Sequence, residues 1–430
     1  MTAAPSATRA PRERLGRAPR TVVGLTFCAW LLSYGDRQLV SLALPLIGTD
    51  LGIDNTGRGL LLSAFFLAYA ATQIPGGMLA DRFGAKPVAV AGIVGWSLFT
   101  VLTGVVSGMA ALLVVRFLFG VGEGVFPAAS MKAIAEQTTP GQRMTANGWV
   151  LSSNALGTLF AATAGAALLS AIGWRHTFVV FGVLGFAVAA VVGWKLPRPR
   201  PVERVAEART GDPEERAGSL RDLLRSWTMW RFSLMYFGIG TVTWGVSSWV
   251  PSYLYDVHGI DLSRASVLLA APILAAAVAT VLGGRIADAV QGRHRIVIVP
   301  SMAVTAVSLV VITQVTGLAV FVIAVSVALF AASLATASVF AVPSKSLPTH
   351  LLGSGSAIVL VGSQVAGIVA PTVMGRLVDT VSYAGAFGYL VCGAALTGLV
   401  SLLTPQTTPA FLNTLTLRPR PAARPEGDPA

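Results

Sequence analysis

The chain consists of long apolar runs separated by short polar breaks. Mostly apolar runs recur along nearly its whole length, and a helix needs about 20 such residues to cross a bilayer. The pattern therefore predicts an all-α membrane protein with twelve spanning helices. We place them at residues 22–47, 58–80, 87–107, 109–135, 144–172, 175–195, 228–255, 264–288, 296–316, 317–343, 350–378 and 384–403.

One long polar stretch, residues 197–226, divides this series into six spans and six spans. It contains prolines and charged residues with little periodicity, which is typical of a flexible linker. We therefore predict two pseudo-symmetric six-helix bundles, over 21–196 and 227–403, joined by a cytoplasmic linker. Basic cytoplasmic tails are predicted over 1–20 and 404–430.

The composition excludes an ordinary soluble domain. Of the 430 residues, 54% are apolar and 12% are charged, whereas about 25% of a typical soluble domain is charged. The net charge of +12 comes from arginines in the tails and between spans, a distribution that favours anionic lipid over nucleic acid as the partner. Lysines and arginines are concentrated in loops after even-numbered spans, so both termini are predicted to be cytoplasmic. The alanine, glycine and arginine content suggests a bacterial plasma (inner) membrane.

Two polar motifs recur at the same place in each half. Residues 77–86 read GMLADRFGAK after the second span, and residues 284–293 read GRIADAVQGR after the eighth span. The two motifs start 207 residues apart, about half of the spanning region. Matched motifs of this kind indicate an internal repeat, which many transporters use to build a central site between two moving halves.

Four charged residues lie inside apolar runs: Asp36 and Arg37 in the first span, Arg116 and Glu123 in the fourth. Each costs about 2.5–3.5 kcal/mol at the middle of a spanning helix, so such residues usually face a cavity and have a function. The alternative is a structural ion pair that locks two helices together. Four charges, two of them carboxylates, favour the functional interpretation.

Helix geometry indicates how these charges pair. Arg116 and Glu123 are seven residues apart, which places them on one face but about 10 Å apart along the axis. Side chains lean toward the helix N-terminus, so a direct pair is strained. Glu123 can pair with Arg37 instead. We expect Asp36 and Glu123 to exchange protons and Arg37 to bind the substrate carboxylate, because a guanidinium can donate two parallel hydrogen bonds to a carboxylate.

The motif at 77–86 resembles the signature of the major facilitator superfamily. Within that superfamily, four stretches resemble the anion:cation symporter family, namely residues 34–37, 73–77, 116–127 and 249–254. The resemblance implies proton-coupled symport of organic anions such as sugar acids by alternating access. It also implies the same proton-coupling roles for Asp36 and Glu123, with Arg116 tuning Glu123.

The resemblance also implies a wider set of site residues. Substrate contacts are expected at Tyr34, Arg37, Tyr69, Arg116, Asn154, Tyr236 and Gln364. At Asn154, Tyr236 and Gln364 the residue type differs from that of common members, so the substrate's identity stays open. Conformational gating is expected at Gly77, Asp81, Arg82, Gly84, Lys86 and Asp288.

Other functions were weighed against these residues. A proton-coupled drug or metabolite exporter usually has a Gly-Pro-rich fifth span, whereas residues 157–165 contain no proline. An organophosphate carrier would place basic residues from both halves in the cavity. A membrane sensor would carry a signalling domain, for which the linker is too short. A nucleotide-driven pump would need a Gly-x-x-x-x-Gly-Lys-Ser/Thr loop, which the sequence does not contain. An enzyme would need a nucleophile–base or metal cluster, and none stands out in the sequence. We expect no cofactor or metal and a monomer in the lipid bilayer, while a sodium site made of backbone carbonyls would not be visible in the sequence.

Overall fold

The structure is a computed structural model that describes residues 16–197, 220–290, 293–347 and 349–415. In these ranges the chain is almost entirely helical and forms no strand. The first six helices are α1 (Arg17–Leu51), α2 (Asn55–Phe83), α3 (Ala85–Val105), α4 (Met109–Gln137), α5 (Pro140–Phe160) and α6 (Ala166–Lys195), with a π-helical turn, Ala161–Gly165, between the last two. The others are α7 (Leu220–Arg225), α8 (Trp227–Asp256), α9 (Leu262–Ala289), α10 (Arg295–Gln314), α11 (Leu318–Ser346), α12 (Thr349–Thr380), α13 (Tyr383–Leu402) and α14 (Thr408–Thr414).

These helices match the apolar runs. Nine helical stretches of the described chain are long and apolar enough to cross a bilayer. One of them, Ala146–Lys195, contains nearly all of the fifth predicted span and the whole of the sixth. The helical path breaks there at Gly173, whose φ of 76° is readily adopted only by glycine. α1 and α8 are not among the nine. The all-α fold is confirmed, and its helices are consistent with twelve spans.

Some helices extend beyond the predicted spans. α1 starts at Arg17, so the end of the predicted N-terminal tail is already helical. The motif expected to be a loop after the second span is mostly helix, because α2 continues to Phe83 and α3 begins at Ala85. Only Gly84 between them leaves helical geometry, with a φ of 91°. Most of the predicted linker, residues 198–219, and most of both tails lie outside the described residues.

The chain forms two compact units. The first contains the described parts of Met1–Val40 and Ala68–Glu203, and the second contains those of Ser41–Leu67 and Arg204–Ala430. Both boundaries within the first half fall inside helices. α1 and α2 therefore each contribute one portion to each unit.

Helix packing repeats between the two units. In the first unit α3 packs on α4 and α6, and in the second α10 packs on α11 and α13. Gly76 of α2 lies so close to α4 that an added Cβ would sit 2.5 Å from the Cα of Val125. Gly283 of α9, 207 residues later, lies equally close to the backbone of Leu334 in α11. The repeat seen in the motifs therefore extends to the helix contacts.

Within the second unit, polar side chains fix the N-terminus of α2. The Asp379 carboxylate accepts hydrogen bonds from the backbone nitrogens of Asn55 and Thr56, at 3.2 and 2.7 Å, and from both of their side chains. These nitrogens have no partner within their own helix, so the carboxylate caps it. One turn later, the guanidinium of Arg58 donates to Asp256 at 2.9 Å, and the Tyr383 hydroxyl donates to the same carboxylate oxygen.

Candidate functional site

The centre of the candidate site is an ion pair between α1 and α4 in the first unit. Nε of Arg37 lies 2.6 Å from Oε2 of Glu123. The Glu123 side chain is 1% exposed and that of Arg37 is 11% exposed. The predicted pairing of these two residues is therefore present. Removing one partner of a buried pair of this kind strongly destabilises the folded protein, because the other partner is left as an uncompensated buried charge.

Two tyrosines flank the guanidinium of Arg37. Its Cζ lies 4.4 Å from the centre of the Tyr69 ring on α2 and 5.2 Å from the Tyr34 ring on α1. The Tyr34 ring stacks in turn on Trp30, one turn earlier in α1, at 5.4 Å. The aromatic faces attract the cation and limit where it can move. Tyr34, Arg37, Tyr69 and Glu123 therefore form one cluster.

The other two interior charges lie beside this cluster. Asp36 is 2% exposed and Arg116 is 3% exposed. Asp36 is close enough to both Arg116 and Glu123 for their charges to act on it. The Arg116 guanidinium lies 4.4 Å from the Phe119 ring and donates a 2.6 Å hydrogen bond to Thr103 of α3. The first unit thus buries two carboxylates and two guanidiniums together.

Three hydroxyl residues that we did not predict also belong to this site. Ser33 faces Glu123, Thr100 faces Asp36, and Thr103 binds Arg116. The sequence does carry a signal for the two threonines, because Ser97, Thr100 and Thr103 repeat every third residue in an otherwise apolar span. A stripe of this spacing marks one helix face.

Glycines of α4 let the neighbouring helices approach these charges. A Cβ at Gly122 would lie 2.7 Å from the backbone nitrogen of Trp96 in α3. A Cβ at Gly124 would lie 2.7 Å from the carbonyl oxygen of Tyr69 in α2 and would overlap Thr72. Small residues allow this close contact between spanning helices. The close approach of α2 to α4 places both Tyr69 and Glu123 beside the guanidinium of Arg37.

The remaining predicted substrate residues are not part of this cluster. The side chain of Asn154 on α5 is exposed. Tyr236 belongs to the second unit, where its ring packs 5.2 Å from Phe340 and its hydroxyl bonds with Ser363. Ser363 also accepts a 3.2 Å hydrogen bond from the indole of Trp244. Gln364, the next residue, is half-buried.

The predicted gating residues lie where α2 ends and α3 begins. Gly77 lies near α4, since an added Cβ would be 3.7 Å from that of Ala128. Asp81 accepts a hydrogen bond from Lys132 of α4 at 3.1 Å, and Lys86 donates to the carbonyl oxygen of Leu196 at 2.9 Å. Arg82 is exposed, with its guanidinium 5.3 Å from the Phe83 ring. Gly84 is the non-helical residue, and the backbone of Asp288 lies in the last turn of α9.

Several transporters resemble most of the chain. A probable sulfoacetate transporter of Cupriavidus necator is 32% identical over 399 residues, covering 87% of this chain and 90% of its own. A probable L-galactonate transporter of Escherichia coli is 29% identical over 88% of this chain and 87% of its own. A hexuronate transporter of Bacillus subtilis is 28% identical over 85% of this chain and 90% of its own.

The fold also matches solved structures. Two crystal structures of a bacterial homologue of the human lysosomal transporter Spinster, one described as inward-facing and unoccupied and the other as inward-facing and occupied, have TM-scores of 0.74 and 0.75. They cover 95% of this chain and all of their own, at 20% and 19% identity, so this likeness concerns the fold alone.

The family described as the Major Facilitator Superfamily matches residues 26–371 and 258–424. This match spans the apolar helices, both copies of the polar motif and all four buried charges. With this family match, its apolar helices and its similarity to transporters over most of its length, the chain belongs to the Major Facilitator Superfamily and is a multi-pass membrane protein.

Proposed function

We propose that this protein is a secondary active transporter that moves a small organic anion, a carboxylate or sugar acid, together with protons. The observation that carries the proposal is the buried ion pair of Arg37 with Glu123, set between two tyrosine rings. A guanidinium held in this way is a preorganised site for a carboxylate. The similar proteins support the class of substrate, because sulfoacetate, L-galactonate and hexuronate are all small organic anions.

Competition for Arg37 provides the coupling. Glu123 and the substrate carboxylate need the same guanidinium, so an ionised Glu123 opposes anion binding. A proton on Glu123 removes its charge and releases Arg37 to the anion. Binding of the proton and of the anion therefore favour each other, which is the linkage that symport requires. Asp36 provides a second carboxylate for a proton, next to Arg116.

The transport cycle that we propose is alternating access between two six-helix halves, 21–196 and 227–403, in the plasma membrane, with both termini in the cytoplasm. Gly77, Asp81, Arg82, Gly84, Lys86 and Asp288 would gate it, and Asn154, Tyr236 and Gln364 would complete the substrate contacts. The Asp81–Lys132 contact between α2 and α4 supports the gating role, because such an exposed pair is weak enough to break and reform. One chain would contain the complete pathway and act as a monomer.

Uptake into proteoliposomes tests the proposal. Purified protein is reconstituted, and uptake of radiolabelled galactonate is measured with and without an inwardly directed proton gradient. We expect the gradient to drive accumulation in the wild type. Glu123→Gln should abolish gradient-driven accumulation because it removes the titrating group. Glu136→Gln, on the same helix but distant from the ion pair in sequence, is the matched control and should accumulate the anion normally.

The same measurement separates the rival functions. Binding of galactonate without accumulation would favour a membrane sensor. Accumulation that needs sodium and ignores the proton gradient would replace protons by sodium as the coupling ion. Full gradient-driven accumulation by the Glu123→Gln variant would contradict the proton role of that residue.

A further inference from the structure

The hydroxyl of Thr103 has two partners of different kinds. It donates a 2.7 Å hydrogen bond to the carbonyl oxygen of Phe99 in its own helix. It accepts a 2.6 Å hydrogen bond from the guanidinium of Arg116 on α4. A hydroxyl has one hydrogen to donate and lone pairs to accept with, so both of its roles are used at once. Thr103 is 1% exposed, and its bond with Arg116 is buried.

Arg116 is a buried cation whose guanidinium donates a hydrogen bond to an uncharged acceptor. In the part of the chain that the structure describes, the Thr103 hydroxyl is the hydrogen-bond acceptor of its guanidinium. Phenyl rings of Phe119 and Phe178 lie 4.4 and 5.8 Å away. The Asp36 carboxylate is close enough for the two charges to interact, yet no ion pair within 4.0 Å joins these two described residues. An ionised carboxylate would be the stronger partner, because charge-assisted hydrogen bonds are about twice as strong as neutral ones.

We propose that Thr103 is a positioning residue that holds Arg116 away from Asp36, and that Arg116 moves from Thr103 to Asp36 when Asp36 loses its proton. This inference rests on the proposed function of Asp36 as a proton carrier. While Asp36 is neutral, Thr103 gives the buried guanidinium an acceptor and so avoids an unsatisfied charge. When Asp36 is ionised, the carboxylate takes over. Thr103 therefore sets how easily Asp36 is reprotonated.

The other groups around Asp36 do not replace this role. Glu123 faces Asp36 from α4 but forms an ion pair with Arg37, the residue that follows Asp36 in α1. Thr100 faces Asp36 from α3 and is neutral. Among the described charged groups near Asp36, Arg116 is thus the cation that forms no ion pair with a carboxylate, and its guanidinium donates to Thr103 instead.

The test is the pH dependence of anion uptake by Thr103→Val, which keeps the shape of the side chain and removes the acceptor. Arg116 then has Asp36 as its remaining acceptor, so the proton is held less well. We expect the external pH that gives half-maximal uptake to fall by about one unit, which corresponds to a tenfold change in proton affinity.

Two controls isolate the hydroxyl acceptor. Thr103→Ser restores it and should restore the wild-type pH profile. Thr305→Val removes an equally buried threonine of α10, whose hydroxyl donates to the carbonyl oxygen of Ser301 at 2.9 Å, and should leave the profile unchanged. If the valine variant at Thr103 does not fold, Thr103→Ala carries the same expectation, because it removes the acceptor without adding volume.

The outcomes distinguish this inference from the function on which it rests. A wild-type protein with no proton-dependent uptake would reject both. Proton-dependent uptake in the wild type, with an identical pH profile in Thr103→Val or Thr103→Ala, would reject the positioning role alone. An equal shift in Thr305→Val would also reject it, because the shift would then reflect a general effect of removing a buried hydroxyl.

Discussion

At the scale of single residues, replacement of Arg37 by lysine separates its charge from its geometry. A lysine keeps the positive charge but has neither the planar fork for a carboxylate nor the flat surface that stacks between Tyr34 and Tyr69. We expect Arg37→Lys to raise the KM for the anion about tenfold, which corresponds to a loss of about 1.4 kcal/mol of binding free energy. Initial uptake rates over a range of anion concentrations measure it.

The matched control for this variant is Arg264→Lys. Arg264 is an exposed residue whose contact with Asp261 spans 3.6 Å, and exposed pairs contribute little. Its KM should be that of the wild type. If Arg37→Lys also leaves the KM unchanged while the protein transports, Arg37 is not the partner of the anion.

The charged part of this site could be predicted from the sequence because a charge inside an apolar run is costly and therefore conspicuous. The axial separation of Glu123 from Arg116 made a direct pair strained and left Arg37 as the alternative partner of Glu123, which is the pair that the structure contains. Thr100 and Thr103 were missed for a physical reason. Threonines in spanning helices commonly bond their own backbone, as both do here, so their three-residue spacing marks one helix face without showing which hydroxyl also binds a neighbouring helix.

At the scale of helices, α4 depends on the absence of a side chain at Gly124. A methyl group there would meet the carbonyl oxygen of Tyr69 and the side chain of Thr72, so α2 must move away from α4. Overpacking of this kind costs about 1–3 kcal/mol. We expect Gly124→Ala to lower the apparent melting temperature in detergent and to reduce uptake, because Tyr69 leaves its position over Arg37.

Gly24→Ala is the corresponding control in α1. No atom lies within 4 Å of a Cβ added at Gly24, and alanine favours a helix over glycine by about 1 kcal/mol. This variant should be as stable as the wild type or slightly more stable. Wild-type stability and uptake in Gly124→Ala would show that the contact between α2 and α4 is loose enough to absorb a methyl group.

The helices themselves were predictable, but their ends were less so. Apolar length located each run, since lipid leaves few alternatives to a helix. The motif at residues 77–86 was expected to be a loop because it is polar. In the structure, Lys132 of α4 donates to the backbone oxygen of Ala80 within this motif, and Lys86 of the motif donates to that of Leu196, just after α6. A single glycine suffices for the turn between α2 and α3. Polarity thus marked the end of the apolar span, while the backbone stayed helical beyond it.

At the scale of the whole molecule, the internal repeat carries an asymmetry of charge. The helix contacts at Gly76 and Gly283 correspond in the two halves, as do the paired motifs. Among the residues that the structure describes, the buried ionic cluster lies in the first half, since its four residues all belong to α1 and α4. Under the proposed function, the first half therefore carries the protons and the anion's main charge partner, while the second half contributes neutral groups such as Tyr236 and Gln364.

The protons carried by these residues determine the net charge that each transport cycle moves, and that net charge can be measured. If Asp36 and Glu123 each carry a proton and the substrate bears one carboxylate, each inward cycle moves one positive charge. A membrane potential acts on that charge with about 2.3 kcal/mol per 100 mV, which is roughly a 50-fold change in the accumulation ratio. We expect an inside-negative potassium diffusion potential, set with valinomycin, to drive galactonate accumulation without any pH gradient.

An Asp36→Asn variant that still transports should lose this response to the potential, because one proton then accompanies one anion and the cycle becomes electrically neutral. The Glu136→Gln variant should keep it. Potential-independent accumulation by the wild type would mean that one of the two carboxylates keeps a constant protonation state during transport. The charge cluster would then contain a single proton carrier and a structural partner, and Glu123, which faces Arg37 directly, would be the carrier.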